Sequence, residues 1–140
     1  MNRRHFLILS TCAPLTLALG SRSAFGAPPI PYTPGLAEAA MDEGKIVLLD
    51  FWASWCSTCI AQQRVVDKLK ADNPAYEQNV VFFQIDWDVY SKGELSRGLK
   101  IPRRSTLVVM KGRTELGRIV AGTSTADIKA LLDLALSAVS

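Results

Sequence analysis

The run Ile46-Val47-Leu48-Leu49-Asp50-Phe51-Trp52 constrains this chain more than any other segment. It is a continuous stretch of strand-forming residues, mostly apolar, as expected of a strand buried on both faces of a sheet. Trp55-Cys56-Ser57-Thr58-Cys59 follows almost at once. Beyond it, residues 57 to 71 place Cys59, Val66 and Leu69 near one stripe, with Ile60 and Val65 alongside. That helical spacing stops before Asn73-Pro74. The two cysteines therefore fall at a strand-to-helix junction, one helical turn apart. A thiol at a helix start feels the positive end of the macrodipole and unpaired backbone N–H groups, which lower its pKa. Cys56 is expected to be the attacking sulfur and Cys59 the resolving one. A structural disulfide or half of a zinc site are the competing readings. With no second CxxC and no histidine after His5, the thiols and imidazoles beyond Cys12 cannot complete a four-ligand zinc site.

The front end reads as a removable leader. Asn2-Arg3-Arg4-His5-Phe6-Leu7 resembles the twin-arginine export motif, and an apolar run continues through Leu19. Ala24-Phe25-Gly26 offers small residues at the two positions a signal peptidase reads, so Ala27 is the expected new N-terminus. The apolar run is shorter than the roughly 18 to 20 residues a membrane span needs. Leu9-Ser10-Thr11-Cys12 has some likeness to a lipoprotein box, but Cys12 precedes the end of the apolar run and follows Thr. Of the 16 Lys and Arg residues, Arg3, Arg4 and Arg22 lie in the leader, which leaves 13 against 13 Asp and Glu. The formal charge of +3 thus belongs to residues 1–26. The balanced remainder gives no argument for nucleic-acid or anionic-membrane binding. It retains two cysteines, and a domain of this size needs no disulfide to staple its core. The pair is free for chemistry.

After the leader, residues 27–35 form a proline-rich lead-in, expected to be extended and partly mobile. Residues 36–140 read as one domain: a short helix over Leu36–Asp42 ended by Gly44, a strand over Lys45–Trp52, then the cysteine-bearing helix. A strand over Val80–Asp86, a helix over Ser91–Leu99 and a strand over Ser105–Lys111 come next. A turn at Lys111-Gly112-Arg113 leads to an antiparallel strand over Thr114–Ala121. Ser124-Thr125-Ala126-Asp127 resembles a capping box, and Ile128, Leu131, Leu132 and Ala135 supply the apolar stripe of a last helix. The pattern implies an α/β fold, a mixed sheet of about four strands with helices on both faces.

At this point the chain resembles the thioredoxin family. Asp50-Phe51-Trp52-Ala53-Ser54-Trp55-Cys56 is similar to that family's active-site approach, and the order of elements, the closing hairpin and the capped last helix fit it. The resemblance implies that Cys56 attacks a partner disulfide, forms a mixed disulfide and is displaced by Cys59, or the reverse. Asp50 is implied as the buried carboxylate behind Cys59. Burial alone would raise its pKa and let it exchange a proton with that thiol; an Asp bonded locally at the strand end is the plainer alternative. Trp55 is expected on the rim of the partner-binding surface, or packed, and Trp52 in the core. Gly122 matches a family position lining the same groove, although a strand-to-helix turn would also take glycine.

Two departures from the family stand out. Where thioredoxins carry a cis-proline facing the cysteines, this chain has Ser105, within Arg103-Arg104-Ser105-Thr106, and Pro102 lies three residues early. A non-proline cis bond costs about 3 to 4 kcal/mol, so the Arg104–Ser105 bond is expected to be trans. Arg104, Ser105 and Thr106 are the residues expected to meet a substrate there. An arginine near Cys56 would stabilise its thiolate; solvated surface charge is the common alternative. The second departure is Phe82, where the family has a lysine near the buried aspartate.

The function these readings imply is an exported thiol-disulfide oxidoreductase of the periplasm, acting on cysteine-containing proteins there as a monomer, with reductant favoured over oxidant. A small exported reductant would draw electrons from a membrane thiol carrier, since the periplasm is kept oxidising. No cofactor is implied. The competing classes are a soft-metal protein holding Cu(I) on Cys56 and Cys59, and a redox-inactive binding module, against which the intact cysteine pair argues.

Overall fold

The computed structural model describes residues 26–140. All of the expected leader except Gly26, including Arg3, Arg4 and Cys12, lies outside the described residues. The chain runs β1 (Ile30–Pro31), α1 (Leu36–Asp42), β2 (Ile46–Trp52), α2 (Ser57–Asp72), α3 (Ala75–Asn79), β3 (Val81–Asp86), α4 (Trp87–Tyr90), α5 (Glu94–Gly98), β4 (Thr106–Lys111), β5 (Thr114–Val120) and α6 (Thr125–Ser137).

The sheet has five strands in the order β1-β3-β2-β4-β5, not four. The added strand comes from the lead-in. Ile30 and Pro31 pair in parallel with Phe83 and Gln84, Tyr32 N donates to Gln84 O at 2.9 Å, and the Tyr32 ring is buried in the core. Residues 27–35 are therefore packed onto the domain. Proline at this edge costs no ladder bond that a second neighbour would require.

The central strand β2 is parallel to β3 and antiparallel to β4, with Asp50 opposite Gln84 on one side and Leu107 on the other. Because side chains alternate along a strand, β2 feeds two cores. Val47, Leu49 and Phe51 join Ala37, Met41, Leu95 and Ile101 on one face. Ile46 and Leu48 join Val66, Leu69, Ile128 and Leu132 on the other. Helices α2, α3 and α6 thus cover the face to which Asp50 also points by alternation.

Several boundaries differ from the sequence reading for local reasons. Ser105 precedes β4 because its backbone is left-handed, with φ 62°. The helix expected over Ser91–Leu99 is α5 alone, entered through the extended Gly93, and α4 occupies Trp87–Tyr90 before it. The one-turn α3 follows Pro74, which sits at its N-cap. Ser124 caps α6 through its side chain, accepting from Asp127 N, a contact worth about 1 kcal/mol. Gly112, with φ 55°, makes the turn between β4 and β5.

Candidate active site

Strand β2 delivers the chain to Ala53, which is buried with Cys56 and Cys59 in a small cluster of its own. Trp52 packs against this cluster and is only half-buried, so it is not part of either main core as the sequence suggested. Cys56 is the N-cap of α2: its backbone is extended, and its sulfur accepts the Cys59 N–H at 3.2 Å. Cys56 and Cys59 form a disulfide, with Cα atoms 5.3 Å apart. Cys56 is 5% exposed and Cys59 0%, so only the first sulfur can be reached from outside.

Ser105 closes the site from the other side. Its N–H donates to Phe51 O at 2.7 Å, and its carbonyl accepts from Ala121 N at 2.8 Å. With the backbone fixed on both sides, the hydroxyl is held 3.2 Å from Cys56 Sγ and 3.1 Å from Cys59 Sγ. Among the described residues there is no cis peptide bond, so the Arg104–Ser105 bond is trans. A disulfide sulfur is a weak acceptor and a thiolate a strong one. The single hydroxyl proton can therefore serve whichever sulfur carries charge.

Gln62, absent from the sequence reading, underpins this arrangement. It is fully buried on α2, one turn after Cys59, and its amide donates to Ser105 O at 3.1 Å and Gly122 O at 2.8 Å. The signal was present: Gln62 is the polar member of the stripe Cys59, Gln62, Val66, Leu69. Gly122 contributes that carbonyl, and a Cβ built on it would meet Ile119 Cγ2 at 2.8 Å. The glycine is thus demanded by a packed side chain beside it. Thr106, expected to meet a substrate, does not present its side chain to one. It is fully buried, and its hydroxyl donates to Arg103 O at 2.7 Å, which shapes the turn carrying both arginines.

Asp50 is 4% exposed, and burial is the main cause that pushes its carboxyl up to about 7. A hydrogen bond from Gln84 opposes the shift and the Asp67 carboxylate adds to it. Gln84 is itself oriented by a polar chain, donating to Gln63, which donates to Asp67 at 2.9 Å. One Asp50 oxygen has no partner among the described residues. At Phe82 the side chain is core, and the buried Lys70 of α2 lays its ammonium 4.4 Å from the Phe82 ring centroid and 3.2 Å from Glu77.

Trp55 is 59% exposed beside Cys56. Its indole N–H donates to Asp88 at 2.8 Å, and the Arg104 guanidinium carbon lies 4.2 Å from its ring centroid. Among the described residues no group of three His, Cys, Asp or Glu side chains is arranged to hold a metal ion.

A family model described as Thioredoxin matches residues 35–134. The chain belongs to the thioredoxin family. A thioredoxin of Coprinus comatus is 32% identical over 85 residues, which is 61% of this chain and 76% of that protein. One of Echinococcus granulosus is 28% identical over 95 residues, 68% and 82% of the two chains. Among solved structures, Trxlp from Edwardsiella tarda EIB202 superposes with a TM-score of 0.62 at 28% identity, over 72% of this chain and 95% of that one. Malassezia sympodialis thioredoxin, at 24% identity, shares the fold with a TM-score of 0.62 over 76% and 93% of the two chains. This thioredoxin-family chain is a thiol-disulfide oxidoreductase, with Cys56 and Cys59 as its redox pair.

Proposed function

We propose that the chain works in the periplasm as a reductant of protein disulfides and is itself re-reduced by a membrane thiol carrier. The leader-like residues 1–26 support export. The observation that carries the exchange chemistry is Asp50, a buried carboxylate whose carboxyl is pushed up to about 7 on the sheet face that α2 covers; it serves exchange in either direction, and the reductive one is favoured by the chain's similarity to thioredoxins. Near neutral pH such a group is present in both protonation states, so it can take a proton from the buried Cys59 when that thiol must attack.

The cycle then runs in two exchanges. The Cys56 thiolate, bonded by the Cys59 N–H and the Ser105 O–H, attacks one sulfur of the substrate disulfide. The other substrate sulfur leaves as a thiolate and takes a proton. Cys59 gives its proton to Asp50 and attacks Cys56 Sγ, which expels the second substrate thiolate. Two electrons pass to the substrate, and the Cys56–Cys59 disulfide is the oxidised product.

Equilibrating the processed protein against defined thiol buffers tests the direction. A potential near the thioredoxin figure of about −270 mV is expected; one near about −120 mV makes the protein a disulfide donor. Fractionation of cells tests the compartment, and recovery of the protein with cytosolic markers sinks the export reading.

A further inference from the structure

The loop that brings Ser105 to the sulfurs also brings a charge to the rim. Arg104 precedes Ser105 directly, and Trp55 precedes Cys56 directly; the two meet as a cation–π stack, at 4.2 Å from guanidinium carbon to ring centroid. The stack is held from both ends. Trp55 is tied to Asp88 by its indole N–H, and the turn under Arg104 is tied by Thr106 to Arg103 O and by Arg103 Nε to Arg104 O at 3.2 Å. The guanidinium is thus positioned on the ring of the residue that precedes the reactive cysteine, without using its N–H groups on a carboxylate.

Among the described residues, Lys45, Lys68, Lys70, Arg113, Arg118 and Lys129 pair with Asp or Glu side chains. Arg103 and Arg104 are not among them, nor are Arg64, Lys92, Arg97, Lys100 and Lys111, and the buried Arg104 Nε has no hydrogen-bond partner. Of the acids in contact with Trp55, Asp88 already accepts from its indole. Residues 27–140 carry equal numbers of acidic and basic side chains, and Arg104 is set apart from the other unpaired cations by its stack on Trp55. With its Nε buried, the stacked guanidinium has its two terminal nitrogens left as the paired N–H donors that suit a carboxylate.

We propose that Trp55, Arg104 and Arg103 form a specificity rim that selects disulfides whose cysteines are flanked by acidic residues. The proposal rests on the thiol-disulfide exchange reading of the same site. A substrate cysteine must approach Cys56 across Trp55, which places its neighbouring side chains over the guanidinium. An Asp or Glu there gains a charge-assisted hydrogen bond, and a Lys or Arg meets repulsion.

Two synthetic peptides test it, each closed by one disulfide and identical except for Glu or Lys on both sides of a cysteine. The pre-reduced protein is expected to reduce the Glu peptide faster than the Lys peptide by about threefold to tenfold at low salt. The ratio should shrink in about 0.5 M salt. Arg104→Glu should invert the ratio, and Arg103→Glu, at the exposed position next to the stack, should lower it. Equal rates for both peptides in the unaltered protein overturn the rim proposal while leaving the oxidoreductase reading intact. A Glu preference that survives unchanged in both variants removes its assignment to these arginines. Reduction of neither peptide strikes the exchange reading itself, and the rim with it.

Discussion

The Ser105 hydroxyl stands within hydrogen-bond reach of Cys59 Sγ, at 3.1 Å, and of Cys56 Sγ at nearly the same distance. Both cysteines thus share one donor, supplied by the residue that replaces a proline of the family. A group that can follow negative charge from one sulfur to the other lowers the barrier at each exchange, because neither thiolate has to form without a partner.

Ser105→Ala removes that donor and keeps the backbone bonds to Phe51 and Ala121. A hydrogen bond to a charged group contributes about 1.5 kcal/mol or more. The Cys56 thiol pKa should therefore rise by about one unit, read from thiolate absorbance against pH. The potential should become more negative by about 30 mV, because the reduced form loses stabilisation. An unchanged titration would show that the hydroxyl does not serve the thiolate.

Asp50→Asn separates stability from chemistry. With its carboxyl raised from 3.8 to about 7, the folded protein holds a proton between those pH values that the unfolded chain has released. Stability therefore falls as pH rises through that window and is lowest above about 7. The asparagine variant should be more stable than the parent by about 2 to 4 kcal/mol at pH 8, with the difference vanishing below about pH 4. Urea midpoints at the two pH values measure this. The same variant should accumulate mixed disulfide, visible as a trapped adduct on non-reducing gels, because Cys59 loses its base.

Gln62→Ala should destabilise the protein by about 2 to 3 kcal/mol. It leaves the Gly122 carbonyl without its 2.8 Å donor and empties a fully buried site. A denaturation midpoint within error of the parent would show that the site collapses or fills with water at no cost.

Gly122→Ala drives a methyl group to 2.8 Å from Ile119 Cγ2. Ile119 is β-branched and has few rotamers to retreat to, so the loss should be about 1 to 3 kcal/mol. Reduction of Ile119 to Ala in the same chain should recover part of it, which thermal melts of the single and double variants would show.

The parts of this molecule that were legible beforehand are those whose cause is local. Ile46 to Trp52 announced a buried strand by composition, Cys56 and Cys59 announced their junction by spacing, and Ser124 announced α6 by its cap. What escaped depends on neighbours distant in sequence. Strand β1 has only two residues, both exposed, and exists because Phe83 and Gln84 offer a free edge. Thr106 reads as a surface hydroxyl next to two arginines, but the ladder with Phe51 and Val120 turns it inward. Gln62 lies in a helix whose polar residues are mostly solvated, and only Ser105 and Gly122, far along the chain, explain its burial.

The sulfur that reacts is also the atom that starts α2. Through its bond from the Cys59 amide, Cys56 holds the first helical turn shut, so the two usual ways of silencing a nucleophilic thiol are unequal here. Serine supplies an oxygen to the same amide and leaves the helix origin intact, whereas alanine abolishes the cap and frays the turn on which Cys59 is mounted. A dead variant made with alanine would report a displaced partner cysteine as much as a missing one. The serine form is the one that isolates the chemistry.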